Sequence, residues 1–295
     1  DLNNYGSMSL LSNTLNTLLF ERNYPKFYKR DFVTIGTQRE LANGLQASLS
    51  VDYSNNHALT NSTLYKIRDY KDREFTSNNP LKPNDGAPFF ADYKSTSVTA
   101  TLTYTIGQKY ITRPDAKIYT EAKYPRLSLR YKKGLDGVFG GETDYDLITF
   151  EAYQERIGLG LFGYTSFVVG AGKFLNSNKL FYPEFKHFRG NNAMFFPPNL
   201  RKFRFLDFYQ YSTNQHYFEA HLEHNFSGFI LNKIPLLRKL KLEEVVGINY
   251  LTQPEKKNYT EYYFGIQRLV FGISYGFAFD NGKRTDQGFR FSYNF

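Results

Sequence analysis

The chain has 295 residues, enough for one large all-β domain or two ordinary ones. It carries 25 Tyr and 29 Phe but no Trp and no Cys, so disulfides and thiolate zinc sites are excluded. The formal charge is +9, yet Lys and Arg are scattered through predicted turns rather than gathered on one element, and no nucleic-acid partner is expected.

Mean hydropathy is polar although the aromatic content is high. That combination suits strands facing lipid on one side and water on the other. No run of 18 apolar residues exists, so no transmembrane helix is predicted. The longest approach, Leu159 to Gly172, is too short for one and is rich in Gly and β-formers. Asp1 opens on neither an initiator Met nor a signal peptide, which suggests a processed chain or part of a longer one.

In chain order, Leu10, Leu11, Leu15, Leu18 and Leu19 fall at helical spacing, so residues 1–30 are expected to form a helical plug or an extra strand. Residues 31–295 read as strands. Leu45, Ala47, Leu49, Val51 and Tyr53 alternate with Gln46, Ser48, Ser50 and Asp52. Val98, Ala100, Leu102, Tyr104 and Ile106 alternate with a face of four threonines. Phe271, Ile273, Tyr275, Phe277 and Phe279 repeat the pattern, as does a C-terminal strand of Phe289, Phe291, Tyr293 and Phe295. Successive side chains of a strand point to opposite faces. Several of these segments run for roughly nine to eleven residues, the length that crosses a bilayer at a tilt.

The expected fold is therefore an all-β transmembrane antiparallel barrel of about 13–16 strands, open to completion by strands upstream of residue 1. Thirteen strands are predicted, near 31–41, 44–54, 96–107, 125–132, 145–155, 158–172, 180–188, 203–211, 216–227, 244–252, 258–267, 269–280 and 286–295. A periplasmic C-terminus puts tight links inside at Ala42-Asn43-Gly44, Arg156-Ile157 and Gln267-Arg268, and the insertion 54–95 outside. Asn43-Gly44 is also a hairpin signal. By the same count, residues 189–202 and 228–243 become long periplasmic connections.

Tyr217, Glu219, His221, Glu223 and Asn225 share one strand face, with Phe218, Ala220, Leu222, His224 and Phe226 opposite. Carboxylate and imidazole at alternate positions can converge on a divalent metal. They serve equally as a hydrogen-bonded lumen lining, and that reading is preferred, with no metal and no cofactor expected. His187 with Glu184 and Asn191 forms a second polar knot, without spacing specific to a hydrolase, so no catalytic residue is assigned. Lys233, Ile234, Pro235, Leu236, Leu237, Arg238 and Lys239 open a run with amphipathic character, expected at the periplasmic interface against lipid or a partner.

The block His216-Tyr-Phe-Glu-Ala-His-Leu-Glu-His224, with Phe226, Gly228-Phe229 and Asn232 to Leu237, resembles a Bacteroidetes-type outer-membrane family of uncharacterised function, DUF5686-like. Asn13 to Leu18, Arg22-Asn23-Tyr24, Gly107 to Tyr110 and His187 to Asn191 carry the same resemblance, which spans essentially the whole chain. It implies a bacterial outer-membrane barrel preceded in full-length members by a carboxypeptidase-regulatory-like domain, a β-sandwich module rather than a peptidase. It further implies outer-membrane lipid and lipopolysaccharide as surroundings, and outer-membrane or periplasmic proteins as partners. The last hairpins are similar, more weakly, to BamA-like insertases, which carry a long inward loop with an Arg-Gly motif before their final strands. By the strand count the equivalent connection is only Ser212 to Gln215, with Arg189-Gly190 elsewhere, which argues against insertase activity. The expected role is a non-enzymatic scaffold or accessory subunit of an outer-membrane assembly or transport complex, with a channel or divergent insertase as the alternative.

Overall fold

A computed structural model describes Leu2 and residues 8–120, 122–191 and 193–293. Helix α1 (Leu10–Phe20) is followed by strands β1 (Tyr28–Ala42), β2 (Leu45–Ala58), β3 (Tyr93–Thr105), β4 (Tyr110–Thr112), β5 (Lys117–Tyr119), β6 (Arg126–Gly134), β7 (Asp144–Gly158) and β8 (Tyr164–Lys179). Then come β9 (Phe195–Phe196), β10 (His216–Asn225), the single turn α2 (Pro235–Arg238), β11 (Glu243–Thr252), β12 (Tyr259–Arg268), β13 (Phe271–Asp280) and β14 (Lys283–Tyr293).

The protein is mostly β, organised around one sheet of twelve strands in the order β1-β2-β3-β6-β7-β8-β10-β11-β12-β13-β14-β9. All neighbours are antiparallel except the two-residue β9, which lies parallel to β14. The small pair β4–β5 stands apart within the β3–β6 connection. Antiparallel order puts the β1–β2, β3–β6, β7–β8, β10–β11 and β12–β13 links at one end, where β14 also finishes. We call this the near end. The long 59–92 segment and the remaining links lie at the far end.

Local chemistry explains the tightest turns. Gly44 between β1 and β2 has φ +78, and Asn281-Gly282 between β13 and β14 has φ +48 and +82. These left-handed values match the right-handed twist of a hairpin and cost Gly, and to a lesser degree Asn, little.

Two predicted strands are absent. Residues 180–188 and 203–211 are not strands; together with everything between them they form one long connection from β8 to β10. Their apolar alternation is real, but it packs onto the sheet instead of extending it. Phe188, Phe203, Phe205, Leu206 and Tyr211 of the connection bury against Tyr217, Leu251, Tyr259 and Ala278 of the wall. Removing these two strands moves 189–202 from the near end, where the count had put it, into a far-end connection. The strand predicted at 158–172 begins later, at Tyr164, because Gly158 to Gly163 form the β7–β8 turn. Of the predicted C-terminal strand, Phe289, Phe291 and Tyr293 are in β14, and Phe295 lies outside the described residues.

The two faces of the β10–β14 wall differ: the inner one mixes buried polar groups with the aromatic core, and the outer one exposes apolar side chains. Facing the connection, His221, Asn225, Asn249, Glu261 and Ser274 are buried. Facing away, Phe218, Leu222, Val246, Tyr262, Phe264 and Phe289 are exposed. Contiguous exposed apolar surface of this kind is uncommon on a protein that meets water alone.

Candidate functional site

The long connection and the inner face it covers form the most organised polar region of the molecule. Four ion pairs tie the connection to the wall. Glu184 meets Lys132 of β6 at 2.9 Å and Arg201 meets Glu151 of β7 at 2.7 Å. On β10, Lys186 meets Glu219 at 2.7 Å and Arg204 meets Glu223 at 3.0 Å. A buried charge is tolerated only with a partner and satisfied hydrogen bonds, and each of these has one.

Arg204 is the central pin. Its guanidinium donates to Ser274 Oγ at 2.7 Å as well as to Glu223, and it stacks on the Tyr263 ring. The carboxylate of Glu261, fully buried, accepts the backbone N–H groups of Arg204 and Phe205 at 2.7 and 2.8 Å. The same carboxylate accepts from Asn249 Nδ2 and from the Tyr259 hydroxyl, both at 2.8 Å. Four donors on one carboxylate replace the hydration it lost. Arg290 of β14 completes the lock, donating from Nε to the Arg204 carbonyl at 2.8 Å.

Within the connection, two arms pair with each other. Asn191 N–H donates to the Leu206 carbonyl at 2.8 Å, and Phe203 N–H to the Arg189 carbonyl at 2.9 Å. Gly190 sits where a side chain would collide: a Cβ there would lie 2.4 Å from the Leu206 carbonyl oxygen. The Arg189-Gly190 pair is thus at the crossing point of the two arms.

Of the polar strand residues, Tyr217, Glu219, His221, Glu223 and Asn225 share the inner face of β10; Glu219 Oε2 and His221 Nε2 approach each other at 3.9 Å, and beyond that contact each is drawn to its own partner. Glu219 goes to Lys186 and Glu223 to Arg204 and the Tyr263 hydroxyl. His221, 1 % exposed, pairs through Nδ1 with Asn249 Oδ1 at 3.0 Å and packs against Phe203. Asn225 donates to Glu243 and to the Tyr164 hydroxyl. Among the described residues no three His, Cys, Asp or Glu side chains are placed to hold a metal.

His187, in the second polar knot, bonds to Ser212 Oγ at 2.7 Å and to the Tyr182 carbonyl at 3.0 Å. Burial pushes its imidazole down to about 4, helped by the Lys186 ammonium. Glu184 of that knot turns instead to Lys132 and the Tyr145 hydroxyl, and Asn191 to the Ala193 carbonyl. The residues that organise the region, Arg204, Glu261 and Arg290, were not singled out by sequence reasoning. The run Lys202-Phe203-Arg204-Phe205, with cations alternating with aromatics, is the signal that held Arg204.

Beside the connection lies an open cavity of about 830 Å³. Hydroxyls of Ser48, Ser50, Ser97, Thr99, Thr101 and Ser128 line one side of it. Half of the inner face is thus covered by the connection and half presents small polar side chains.

Lys233 to Lys239 fall in the β10–β11 link at the near end, as a short 3₁₀ turn and α2, with Ile234 and Leu236 exposed.

A sheet with an apolar outer face and a connection pinned into its inner face defines a structural class, not a reaction. The chain belongs to the DUF5686 family: the C-terminal domain of this family of unknown function matches residues 1–266. No curated protein matches the sequence.

Proposed function

We propose that this chain is part of an integral β-barrel of a bacterial outer membrane, filled on one side by its own β8–β10 connection. It works without catalysis, as a scaffold or accessory subunit of a complex that assembles or transports outer-membrane components. The observation that carries this reading is the contrast between the two faces of the sheet. Its outer face exposes Phe264 and Phe289, while its inner face is closed by a connection held through four ion pairs. Lipid supplies the solvent for such an outer face. In lipid the edge of β1 and the part of the β14 edge that β9 leaves open must be paired, by each other or by further strands, since unpaired amides are not tolerated there.

A second reading, a divergent insertase or translocation barrel, is favoured by the placement of Arg189-Gly190. The pair lies on a single inward connection followed by five strands, β10 to β14, and not on a link separate from it. The feature that argued against this reading in the strand count is therefore gone.

Purification from native membranes in mild detergent tests both. The expected result is recovery in the outer-membrane fraction with co-purifying outer-membrane or periplasmic proteins, and a closed state in planar bilayers. Recovery of a monodisperse soluble chain would overturn the membrane reading, and steady ion conductance would overturn the scaffold in favour of a channel.

A further inference from the structure

The two ends of the β10–β14 wall carry opposite chemistry on similar turns. At the far end the β11–β12 link reads Gln253-Pro-Glu-Lys-Lys-Asn258, and the β13–β14 turn is Asn281-Gly282. At the near end the β12–β13 hairpin turns on Leu269-Val270. Leu269 stands in the left-handed region at φ +49 and is 92 % exposed. Asn or Gly would make this turn with less strain and no exposed apolar surface, as the far-end hairpin does. Strain together with exposure points to a contact made by that side chain.

Leu269 is not alone. Leu161, 86 % exposed, and Phe162 project from the β7–β8 turn, and Ile230, Leu236 and Leu240 from the β10–β11 link. These turns are neighbours along the rim because their strands are adjacent, and Phe162 touches Phe229 at 5.1 Å between ring centres. Six exposed cations stand among them: Arg156, Lys233, Arg238, Lys239, Lys241 and Arg268. None forms an ion pair among the described residues. Three acids stand nearby: Glu243 is engaged with Asn225 and Gln267, Glu244 with the Leu231 N–H, and exposed Glu155 with the Tyr153 hydroxyl, leaving the cations in excess. Lys233 rests its ammonium 3.9 Å from the centre of the Phe229 ring.

We propose that this near-end rim is a docking surface for anionic phospholipid, the apolar tips entering the acyl boundary and the cations meeting phosphate. Apolar tips alone would suit a protein as well. The unpaired cations spaced between them favour a sheet of negative headgroups, where each basic side chain adds to the attraction. Strands of 10 or 11 residues in β10–β14 are barely long enough to cross a hydrocarbon core, which leaves their tips at headgroup depth. The proposal rests on the membrane reading above and adds the lipid class and the residues that select it.

The absence of native Trp allows a clean test. Single variants Leu269→Trp, Leu236→Trp, Phe264→Trp and Asn281→Trp of the full chain are reconstituted into vesicles of phosphatidylcholine with or without phosphatidylglycerol, either lipid carrying brominated acyl chains. Leu269→Trp and Leu236→Trp are expected to emit at blue-shifted wavelengths. Brominated phosphatidylglycerol should quench them at least twofold more than brominated phosphatidylcholine at equal content. Arg238→Gln, Lys239→Gln and Lys241→Gln together should erase that preference while leaving Phe264→Trp quenched. Asn281→Trp should stay solvent-like. A quenched Phe264→Trp beside a water-exposed, unquenched Leu269→Trp overturns the docking surface and leaves the barrel standing, with a protein partner as the remaining occupant. Equal quenching by both lipids overturns the anionic selectivity. An unquenched Phe264→Trp overturns the membrane reading and the docking with it.

Discussion

The guanidinium of Arg204 lies 3.5 Å from the centre of the Tyr263 ring, a flat stack that joins the β8–β10 connection to β12. Stacking, the Glu223 ion pair and the Ser274 hydrogen bond all depend on one side chain. Arg204→Ala therefore leaves Glu223 uncompensated in a partly buried setting, a loss of about 3–5 kcal/mol of the kind found when one partner of a buried pair is removed. The expected outcome is a connection cut by protease between 189 and 211 under conditions where the parent chain resists.

Glu261→Gln is isosteric but replaces one acceptor oxygen by a donor. With four donors already aimed at the carboxylate, at least one will face an N–H group, at a cost of about 1.5–3 kcal/mol. Heat-modifiability on unboiled gels should shift to lower temperature. Combining it with Arg204→Ala should cost less than the sum, because both changes release the same segment. Additive losses would show that the two anchors act independently.

Gly190→Ala tests the crossing of the two arms. The obstacle is the Leu206 carbonyl, a backbone atom that cannot swing aside. Proteolysis of the connection should accelerate as it does for Arg204→Ala, whereas Gly86→Ala, with open space around it, should leave digestion unchanged.

Acid should loosen the same segment through His187. Its folded value near 4 lies below the ordinary 6.5, so the neutral form is favoured in the fold. The contribution is full above about 6.5 and is lost as pH falls toward 4, since the unfolded segment takes up the proton first. Hydrogen exchange of residues 180–215 should rise across that window. In His187→Gln the rise should flatten; an unchanged profile would assign it to other groups.

Glu219→Gln with His221→Gln should leave the metal content of the purified chain unchanged, because Lys186 neutralises Glu219 and, among the described residues, no third His, Asp or Glu stands with the pair to hold a metal. Metal in the parent chain that disappears in the double variant would reverse this assignment.

Much of the sheet was legible. The Thr99 to Thr105 alternation and the Asn43-Gly44 turn are local signals, and β2, β3 and their hairpin partners follow them. The connection was not legible, because a segment lying on a half-polar wall alternates as a strand does. Phe203 and Phe205 face the wall while Arg204, between them, reaches for a carboxylate on it, which in sequence reads like two strand faces. The grouping of the β1–β2, β7–β8 and β12–β13 turns at the end where β14 finishes holds because the spurious strands numbered two, and an even error leaves parity intact. The wall's acids were legible as a shared face, but their partners were not. Lys186 and Arg204 are distant in sequence from the strands they neutralise, and no spacing rule links them.

The order in which these parts leave the ribosome has a consequence of its own. Most of the groups that pin Arg204 and its neighbours, namely Glu223, Glu261, Ser274 and Arg290, lie C-terminal to the connection. The Arg290–Arg204 bond spans 86 residues. Arg204 and Phe205 are therefore made before the groups that hold them, whereas Glu184 and Arg201 find Lys132 and Glu151 on strands already made, so only the C-terminal part of the berth is completed later. Non-local closure of this kind makes for slow maturation. It also makes the last hairpin a checkpoint: a chain truncated within β14 would lose the clasp that confirms the whole sheet has been built.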